Sequence, residues 1–238
     1  MSKKKSRYAP TLNDVARESG VSAITVSRCF RHPEKVSDAV RKRVMETVEK
    51  LGYVPNSAAS ALASRRTDVI GLLLPSLNNN VYLDVVSGAF DRAHGTRHAI
   101  QIGNHKYSPL EEEKLIRIFL QQNPAGLIVA GGEQTEAATE MLREADCRVV
   151  QIMDTDVDPI DLVIGLDHEK AAAEAVAGLQ ARGYERIGFL GARMDRRVEQ
   201  RLGGWRAAME AAGLSQQALL TTDAPSSDSV ISAIRLAA

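Results

Sequence analysis

The sequence predicts an α/β protein, with a small helical head at its amino end followed by a larger body of doubly wound parallel sheets. A helix–glycine–helix pattern occupies residues 11–30, and short apolar runs alternate with helical patterns from Asp68 onward. Residues 1–66 contain 14 lysines and arginines against 6 aspartates and glutamates, whereas the whole chain contains 30 of each kind. The head region therefore has a formal net charge of +8, and the remainder of the chain has one of −8. This asymmetry is typical of a nucleic-acid-binding module joined to a domain that does not bind nucleic acid.

Residues 11–30, TLNDVARESGVSAITVSRCF, carry the signals of two short helices separated by one tight turn. Thr11 is a good N-cap, and Asp14 stands three positions on, where its side chain can bond the backbone of the cap. Gly20 falls where a helix ends in the left-handed conformation that glycine adopts at little cost. Ser22 provides the second N-cap. We therefore predict a helix-turn-helix, whose second helix enters the major groove of DNA.

The outer face of the second helix is the candidate surface for reading DNA. Small residues allow close approach to the groove, and an arginine reads a guanine edge through two hydrogen bonds. Helical spacing places five residues on this face, namely Ala23, Ile24, Ser27, Arg28 and Arg31. An ordinary pair of antiparallel helices with a solvated basic face is the alternative interpretation.

A third helix is predicted from the N-cap Ser37 to Leu51, with Gly52 as its stop. One small core should form from the apolar positions of the three helices, which are Val15, Val26, Val40, Val44, Val48 and Leu51. The linker at residues 55–66, PNSAASALASRR, is rich in alanine but too short for a stable isolated helix. It suits a segment that becomes ordered on binding, with a plain flexible linker as the alternative.

The body shows strands alternating with helices, the pattern of parallel sheets that bind ligands at the carboxyl ends of their strands. The predicted strands are 69–74, 98–102, 126–130, 148–153, 162–165 and 186–190. The predicted helices are 82–94, 109–122, 136–145, 168–181, 198–212 and 227–238. The strand at 162–165 is expected to begin a second subdomain. The predicted domains are thus the head (1–54), the linker (55–66) and two subdomains (67–161 and 162–238).

Motifs that would indicate an enzyme are missing from the sequence. The loop after the first strand, PSLNNN, is not a glycine-rich phosphate cradle, and no G-x-S-x-G motif or metal-ligand spacing occurs. We expect no catalytic residue, no metal and no cofactor. Cys29 and Cys147 are interpreted as structural thiols of a cytoplasmic protein. Because no apolar run forms a secretory signal or a membrane span, no membrane association is expected.

The segment TLNDVARESGVSAITVSR resembles the start of the LacI/GalR family of bacterial transcription regulators. VSDAVRKRVMETVEKLGYVPNSAASALAS (36–64) is similar to the third helix and hinge of that family. Within the family, LLLPSLNNNVY, QIMDTD and LGARMDRR are most like the gluconate-operon repressors. The resemblance implies a helix-turn-helix head and a body like the periplasmic binding proteins. It also implies that the body is incomplete at its carboxyl end, because family members continue further.

The resemblance extends the candidate DNA contacts beyond the outer face of the second helix. It adds Thr11, Asn13, Ser22, Thr25 and Lys35 in the head, and Asn56, Ala59 and Leu62 in the hinge. It implies that two hinge helices pair in the minor groove, where Leu62 wedges between base steps and kinks the duplex.

Loops at the carboxyl ends of the predicted strands supply the candidate effector-binding residues. These are Ser76, Asn80, Tyr82, His105, Lys106, Asp154, Arg197 and Arg201. The resemblance implies that Arg201 clamps the effector and that Asp154 binds a ligand hydroxyl or belongs to the hydrogen-bond network of the cleft. It also implies that Ser76 and Tyr82 flank the ligand. A basic cleft favours a carboxylate, because arginine forms bidentate bonds with it. The alternative is that these arginines pair with acidic neighbours on their own helix.

These observations predict a homodimeric repressor that binds a palindromic double-stranded DNA operator and is controlled by a small molecule, with gluconate or a related sugar acid as the first candidate. Alternatives within the family are another sugar, a purine or a protein partner as the signal. Outside the family, a cytoplasmic solute-binding protein or an α/β enzyme acting on a sugar acid are the competing classes. The helix-turn-helix argues against the first, and the missing catalytic motifs argue against the second.

Overall fold

The structure is a computed structural model that describes residues 9–54, 66–131, 133–155 and 158–222. The described residues fall into two compact units, a head before residue 55 and a body after residue 65. The predicted linker lies outside the described residues except for Arg66, and the predicted helix at 227–238 lies wholly outside them.

The head contains three helices, α1 (Leu12–Ser19), α2 (Ala23–Arg31) and α3 (Asp38–Leu51), with a short 3-10 turn at Pro33–Lys35. The predicted caps and glycine stops are found at the ends of these helices. Thr11 and Asp14 form a reciprocal capping box, and Gly20 ends α1 with a φ of 68°. Ser22 caps α2 through its side chain, and Gly52 ends α3 with a φ of 63°. The predicted helix-turn-helix is thus confirmed.

The head core forms where the apolar stripes of the three helices meet. Val15, Val26 and Val44 are fully buried in it. Ala23, predicted on the outer face of α2, is instead half-buried and packs against this core. The prediction was wrong because positions 23, 26 and 30 recur at helical spacing, which places Ala23 on the same side as Val26 and Phe30.

The first sheet of the body contains five parallel strands in the order β2-β1-β3-β4-β5. The strands are β1 (Val69–Leu74), β2 (Ala99–Asn104), β3 (Gly126–Ala130), β4 (Arg148–Asp154) and β5 (Leu162–Leu166). The helices α4 (Val81–Ala93), α5 (Pro109–Gln121) and α6 (Glu136–Arg143) connect the first four strands. Leu73, Ile116 and Leu127 belong to the core between sheet and helices, each at most 1% exposed. This order aligns the carboxyl ends of all five strands along one edge.

The strand at 162–166 belongs to the first sheet, not to the start of a second one as predicted. It pairs in parallel with β4, from Val150 opposite Leu162 to Asp154 opposite Leu166. The apolar pattern identifies a strand but does not encode its partner, which is why the prediction failed. A Cβ at Gly165 would lie 2.5 Å from the Asp154 amide nitrogen, so close pairing at this edge requires glycine.

The second part of the body contains α7 (His168–Gln180), β6 (Phe189–Ala192), α8 (Arg196–Ala211) and β7 (Leu219–Thr222). β6 and β7 pair in parallel as a two-stranded sheet. β6 begins three residues later than the predicted strand, and β7 was not predicted. Trp205 and Met209 lie at the centre of the core that joins α7, α8 and the sheet. Within the described residues, no helix is both long and apolar enough to span a membrane.

Candidate DNA-binding face and ligand cleft

The N-cap of α2 fixes where the helix begins and therefore which of its side chains are exposed. The Ser22 side chain accepts a hydrogen bond from the Thr25 amide at 3.2 Å, and the two hydroxyl oxygens are 2.9 Å apart. Arg28 is exposed, and Ile24 is 65% exposed although it is a large apolar residue. An exposed isoleucine beside an exposed arginine gives this face both an apolar and a charged contact, the pair of properties that base edges and thymine methyl groups require.

The other predicted DNA contacts of the head lie around this face with different exposure. Asn13 and Lys35 are exposed, and Ser27 and Arg31 are partly buried. Thr11 is exposed, but its hydroxyl donates to Asp14 Oδ2 at 2.7 Å, so its first role is to fix the start of α1. The predicted hinge contacts Asn56, Ala59 and Leu62 lie outside the described residues.

A cleft of about 480 Å³, part of it open to solvent, lies at the carboxyl ends of the first-sheet strands. Its walls come from the loops after β1, β2 and β3, from the end of β4, and from the start of α8. The lining residues are Pro75, His105, Tyr107, Pro109, Glu112, Ala130, Gly131, Glu133, Asp154, Asp195, Arg196 and Arg197.

Arg197 is anchored in the cleft by two side-chain hydrogen bonds. Its Nη1 donates to Tyr82 Oη at 2.9 Å and its Nη2 donates to Asp195 Oδ2 at 3.2 Å, and its side chain is 18% exposed. Asp195 is also the N-cap of α8, because it accepts from the Val198 amide at 3.1 Å. Burial raises the pKa of the Tyr82 hydroxyl, which therefore stays protonated at neutral pH. Two of the five guanidinium N–H groups are thus used, and the group is held in a fixed orientation.

Asp154 ends β4 and is 2% exposed. Its Oδ2 lies 3.8 Å from Arg196 Nε, an ion pair longer than a hydrogen bond. The Arg196 backbone amide donates to Glu133 Oε1 at 3.0 Å. The first turn of α8 therefore contacts both the end of β4 and the loop after β3.

His168 connects Arg201 to the end of β4. Arg201 Nε donates to His168 Nδ1 at 3.1 Å, and His168 Nε2 lies 2.8 Å from the Met153 carbonyl oxygen. Since Nδ1 accepts, Nε2 carries the proton and donates to Met153, which is the neutral form of the ring. Burial lowers the pKa of His168 and favours the same form.

The structure brings together four of the eight predicted effector-binding residues. His105, Asp154 and Arg197 line the cleft, and Tyr82 holds Arg197. The other four predicted residues, Ser76, Asn80, Lys106 and Arg201, are not among the lining residues. Ser76 Oγ instead accepts from the Asn78 amide at 3.1 Å, within its own loop.

Two features of the cleft were not predicted from the sequence. The Arg193 guanidinium lies 3.7 Å from the centre of the Tyr107 ring, a cation–π contact between the loops before α8 and after β2. Glu112 is 3% exposed in the cleft wall. Its spacing from Ile116 and Phe119, four and seven residues on, gives the signal that identifies it as part of the buried stripe of α5. No group of three or more candidate metal ligands occurs among the residues that the structure describes.

Comparison with known proteins finds a family model that matches each of the two units. Residues 11–56 match the model of the bacterial regulatory proteins of the lacI family, and residues 67–236 match that of the periplasmic binding proteins and sugar-binding domain of the LacI family. The chain belongs to the LacI family. The predicted fold class and the predicted family are therefore confirmed, and the homologues of this LacI-family chain are transcriptional regulators rather than enzymes.

Curated relatives of this LacI-family chain include the HTH-type transcriptional regulators GntR of Escherichia coli K12 and of Pseudomonas aeruginosa. The first is 36% identical over 230 residues, which cover 96% of this chain and 69% of the relative. The second is 38% identical over 221 residues, which cover 92% of this chain and 64% of the relative. A crystal structure of a LacI-family transcriptional regulator from Silicibacter pomeroyi matches with a TM-score of 0.78 at 39% identity, covering 91% of this chain and 66% of that one. The chain thus spans about two thirds of the length of its relatives.

Proposed function

We propose that this chain is a sequence-specific, DNA-binding repressor of transcription whose cleft binds a small polyhydroxylated acid, with gluconate as the first candidate. Arg197 carries the proposal. Its guanidinium is held by Tyr82 and Asp195 in a cleft at the strand ends, and its other three N–H groups have no hydrogen-bond partner among the described residues, so they can bind a carboxylate. Polar Asp154 and His105 in the same walls suit hydroxyl groups. Its GntR relatives support the assignment to this branch of the family.

On the DNA side, α2 reads the major groove. Arg28 takes a guanine edge, while Ile24 and Ser27 make close contacts with neighbouring bases. Thr11, Asn13, Ser22, Thr25, Arg31 and Lys35 position the head on the backbone, and the hinge residues Asn56, Ala59 and Leu62 contact the minor groove. The protein acts as a cytoplasmic homodimer, so its operator is a palindrome with one half-site for each head.

Ligand control follows from the position of the cleft between two parts of the body. The proposed head covers residues 1–54 and the proposed hinge 55–66. Because β5 pairs with β4, we place the boundary between the subdomains after β5. An effector that contacts the end of β4 and the start of α8 together favours one arrangement of these parts. Typical couplings between two such sites are about 1–3 kcal/mol, or roughly 5–150-fold in DNA affinity.

Selection of bound sequences from a random DNA pool, with and without gluconate, tests the regulator and its effector together. We expect a palindrome with a flexible central step to be enriched, and the enrichment to be lost or shifted by gluconate. A palindrome that is insensitive to gluconate would keep the regulator and reject this effector. No enriched sequence would refute DNA recognition by this chain.

Titration of gluconate into purified protein tests the cleft directly. We expect Arg197→Ala to weaken gluconate binding while leaving DNA binding intact in the absence of ligand. Arg201→Ala should weaken gluconate binding less, because Arg201 does not line the cleft and supports the end of β4 through His168. Arg206→Ala is the matched control, because Arg206 lies exposed on α8 and does not line the cleft. Equal loss in all three variants would show that charge alone, rather than the site, controls binding.

A further inference from the structure

Glu112 is a buried acid that the proposed function does not use. Its carboxyl Oε1 accepts a hydrogen bond from Gln134 Nε2 at 3.1 Å, and Gln134 is itself held by the Gly131 carbonyl oxygen at 3.1 Å. Among the described residues, no cation forms an ion pair with Glu112. Burying an acid without a cation costs free energy. A ligand that brings hydrogen-bond donors would offset this cost.

The environment of Glu112 makes both of its protonation states accessible near neutral pH. The pKa of Glu112 is raised to about 7, mainly by burial; the hydrogen bond from Gln134 lowers it, and the charge of Glu133 adds a smaller increase. The carboxylate form accepts hydrogen bonds from hydroxyl groups, and the acid form both donates and accepts. Either form can therefore bind a hydroxyl.

His105 supplies an unpartnered polar ring in the wall of the same cleft. It is 5% exposed, and neither ring nitrogen has a hydrogen-bond partner within the described residues. The pKa of His105 is lowered to about 4, by burial against a smaller raising effect of the nearby Ser108 backbone, so the ring is neutral and offers one donor and one acceptor. A buried polar group without a partner destabilises the unliganded protein, and a hydrogen bond to a ligand hydroxyl would recover that free energy.

The charge of the lining restricts the ligand further. Four acids and two arginines line the cleft, and two of the acids, Asp154 and Asp195, pair with Arg196 and Arg197. The lining therefore has no excess of positive charge. A ligand with one carboxylate and several hydroxyl groups fits it better than a ligand with two or more negative charges.

We propose that Glu112 and His105 form a hydroxyl-recognition subsite, and that Glu112 makes the cleft select polyhydroxylated acids over acids of the same length without hydroxyls. This inference rests on the proposed function, because it places the ligand in the same cleft. The ligand carboxylate binds Arg197, and its hydroxyl groups bind Glu112 and His105.

Calorimetric titration of the full chain with gluconate and with hexanoate, a six-carbon acid without hydroxyls, tests the subsite. We expect Glu112→Leu to weaken gluconate binding about 10–100-fold, the effect of losing hydrogen bonds to a charged group, and to leave hexanoate binding within about twofold. Glu112→Gln should weaken gluconate binding less, because an amide still bonds hydroxyls. The control is Glu111→Gln, since Glu111 pairs with Lys114 at 3.0 Å and does not line the cleft.

The outcomes separate the subsite from the proposed function. If Glu112→Leu and Glu112→Gln both fold and bind gluconate as the unaltered protein does, the subsite is refuted and the anion-binding cleft stands. If the unaltered protein binds hexanoate as tightly as gluconate, hydroxyl recognition is likewise refuted. If it binds neither acid, the proposed effector class fails, and the subsite fails with it. Should Glu112→Leu not fold in thermal unfolding, Glu112→Gln decides alone.

Discussion

Replacing Gly204 with alanine should destabilise the body because two helices touch backbone to backbone at this position. A Cβ at Gly204 would lie 2.0 Å from the Glu169 carbonyl oxygen and 2.8 Å from its carbonyl carbon, both in α7. Neither is the end of a flexible side chain, so the helices themselves must separate. Overpacking typically costs about 1–3 kcal/mol, and alanine returns about 1 kcal/mol in helix propensity. With two backbone atoms in the way we place the cost at the upper end, and expect a net loss of about 2 kcal/mol in the free energy of unfolding.

The adjacent glycine provides the matched control. Gly203 lies in the same helix, but a Cβ there would meet nothing within 4 Å. Gly203→Ala should therefore gain stability, by about 0.5–1 kcal/mol. Urea unfolding followed by fluorescence measures both variants, since the single tryptophan, Trp205, is 2% exposed in the core beneath α8. If Gly204→Ala were as stable as Gly203→Ala, the close approach of α7 and α8 would be refuted.

Three further predictions concern the DNA-binding face and the cleft. Arg28→Ala should relax base preference at one position by about 1–3 kcal/mol, whereas Arg41→Ala on α3 should not, as measured by selection from random DNA. Because the pKa of Glu112 is raised from 4.5 to about 7 in the folded protein, its contribution to stability falls as pH rises across that interval, by about 3 kcal/mol in full. The free energy of unfolding of Glu112→Gln, relative to that of the unaltered protein, should thus increase between pH 5 and pH 8. Urea unfolding at several pH values measures this difference, and a difference that does not change with pH would show that the pKa of Glu112 is not raised. Tyr82→Phe removes the 2.9 Å hydrogen bond to Arg197 and should weaken gluconate binding several-fold, measured by titration calorimetry, and unchanged affinity would show that Arg197 needs no support from Tyr82.

The head could be predicted almost completely from the sequence because its determinants are local. Thr11 and Ser22 begin helices, and Gly20 and Gly52 end them, through bonds that span only a few residues. The apolar spacing then fixes which faces meet. The one misplaced residue, Ala23, lies on the same side as Val26 and Phe30, but its small side chain gives only a weak hydropathy signal of its own.

The cleft could be predicted only in part because its contacts depend on which loops meet. The alternation of strands and helices correctly placed His105 and Asp154 at strand ends, and the carboxyl ends of parallel strands lie at the same edge of a sheet. The partner of Arg197, however, is 115 positions away in the chain. No local pattern relates Tyr82 to Arg197, just as no local pattern relates β5 to β4.

In the first turn of α8, the residues that we propose bind a ligand are also the residues that hold the cleft together. Arg197 bonds Tyr82, Arg196 contacts Asp154, and Arg193 just before the helix stacks on Tyr107. A ligand carboxylate at Arg197 therefore approaches a guanidinium whose other bonds cross the cleft. Binding must add to those bonds or replace them, and in either case it changes the free energy that joins α8 to the first sheet. Farther along the same helix, Gly204 packs against the Glu169 backbone of α7, so α8 contacts both the first sheet and α7.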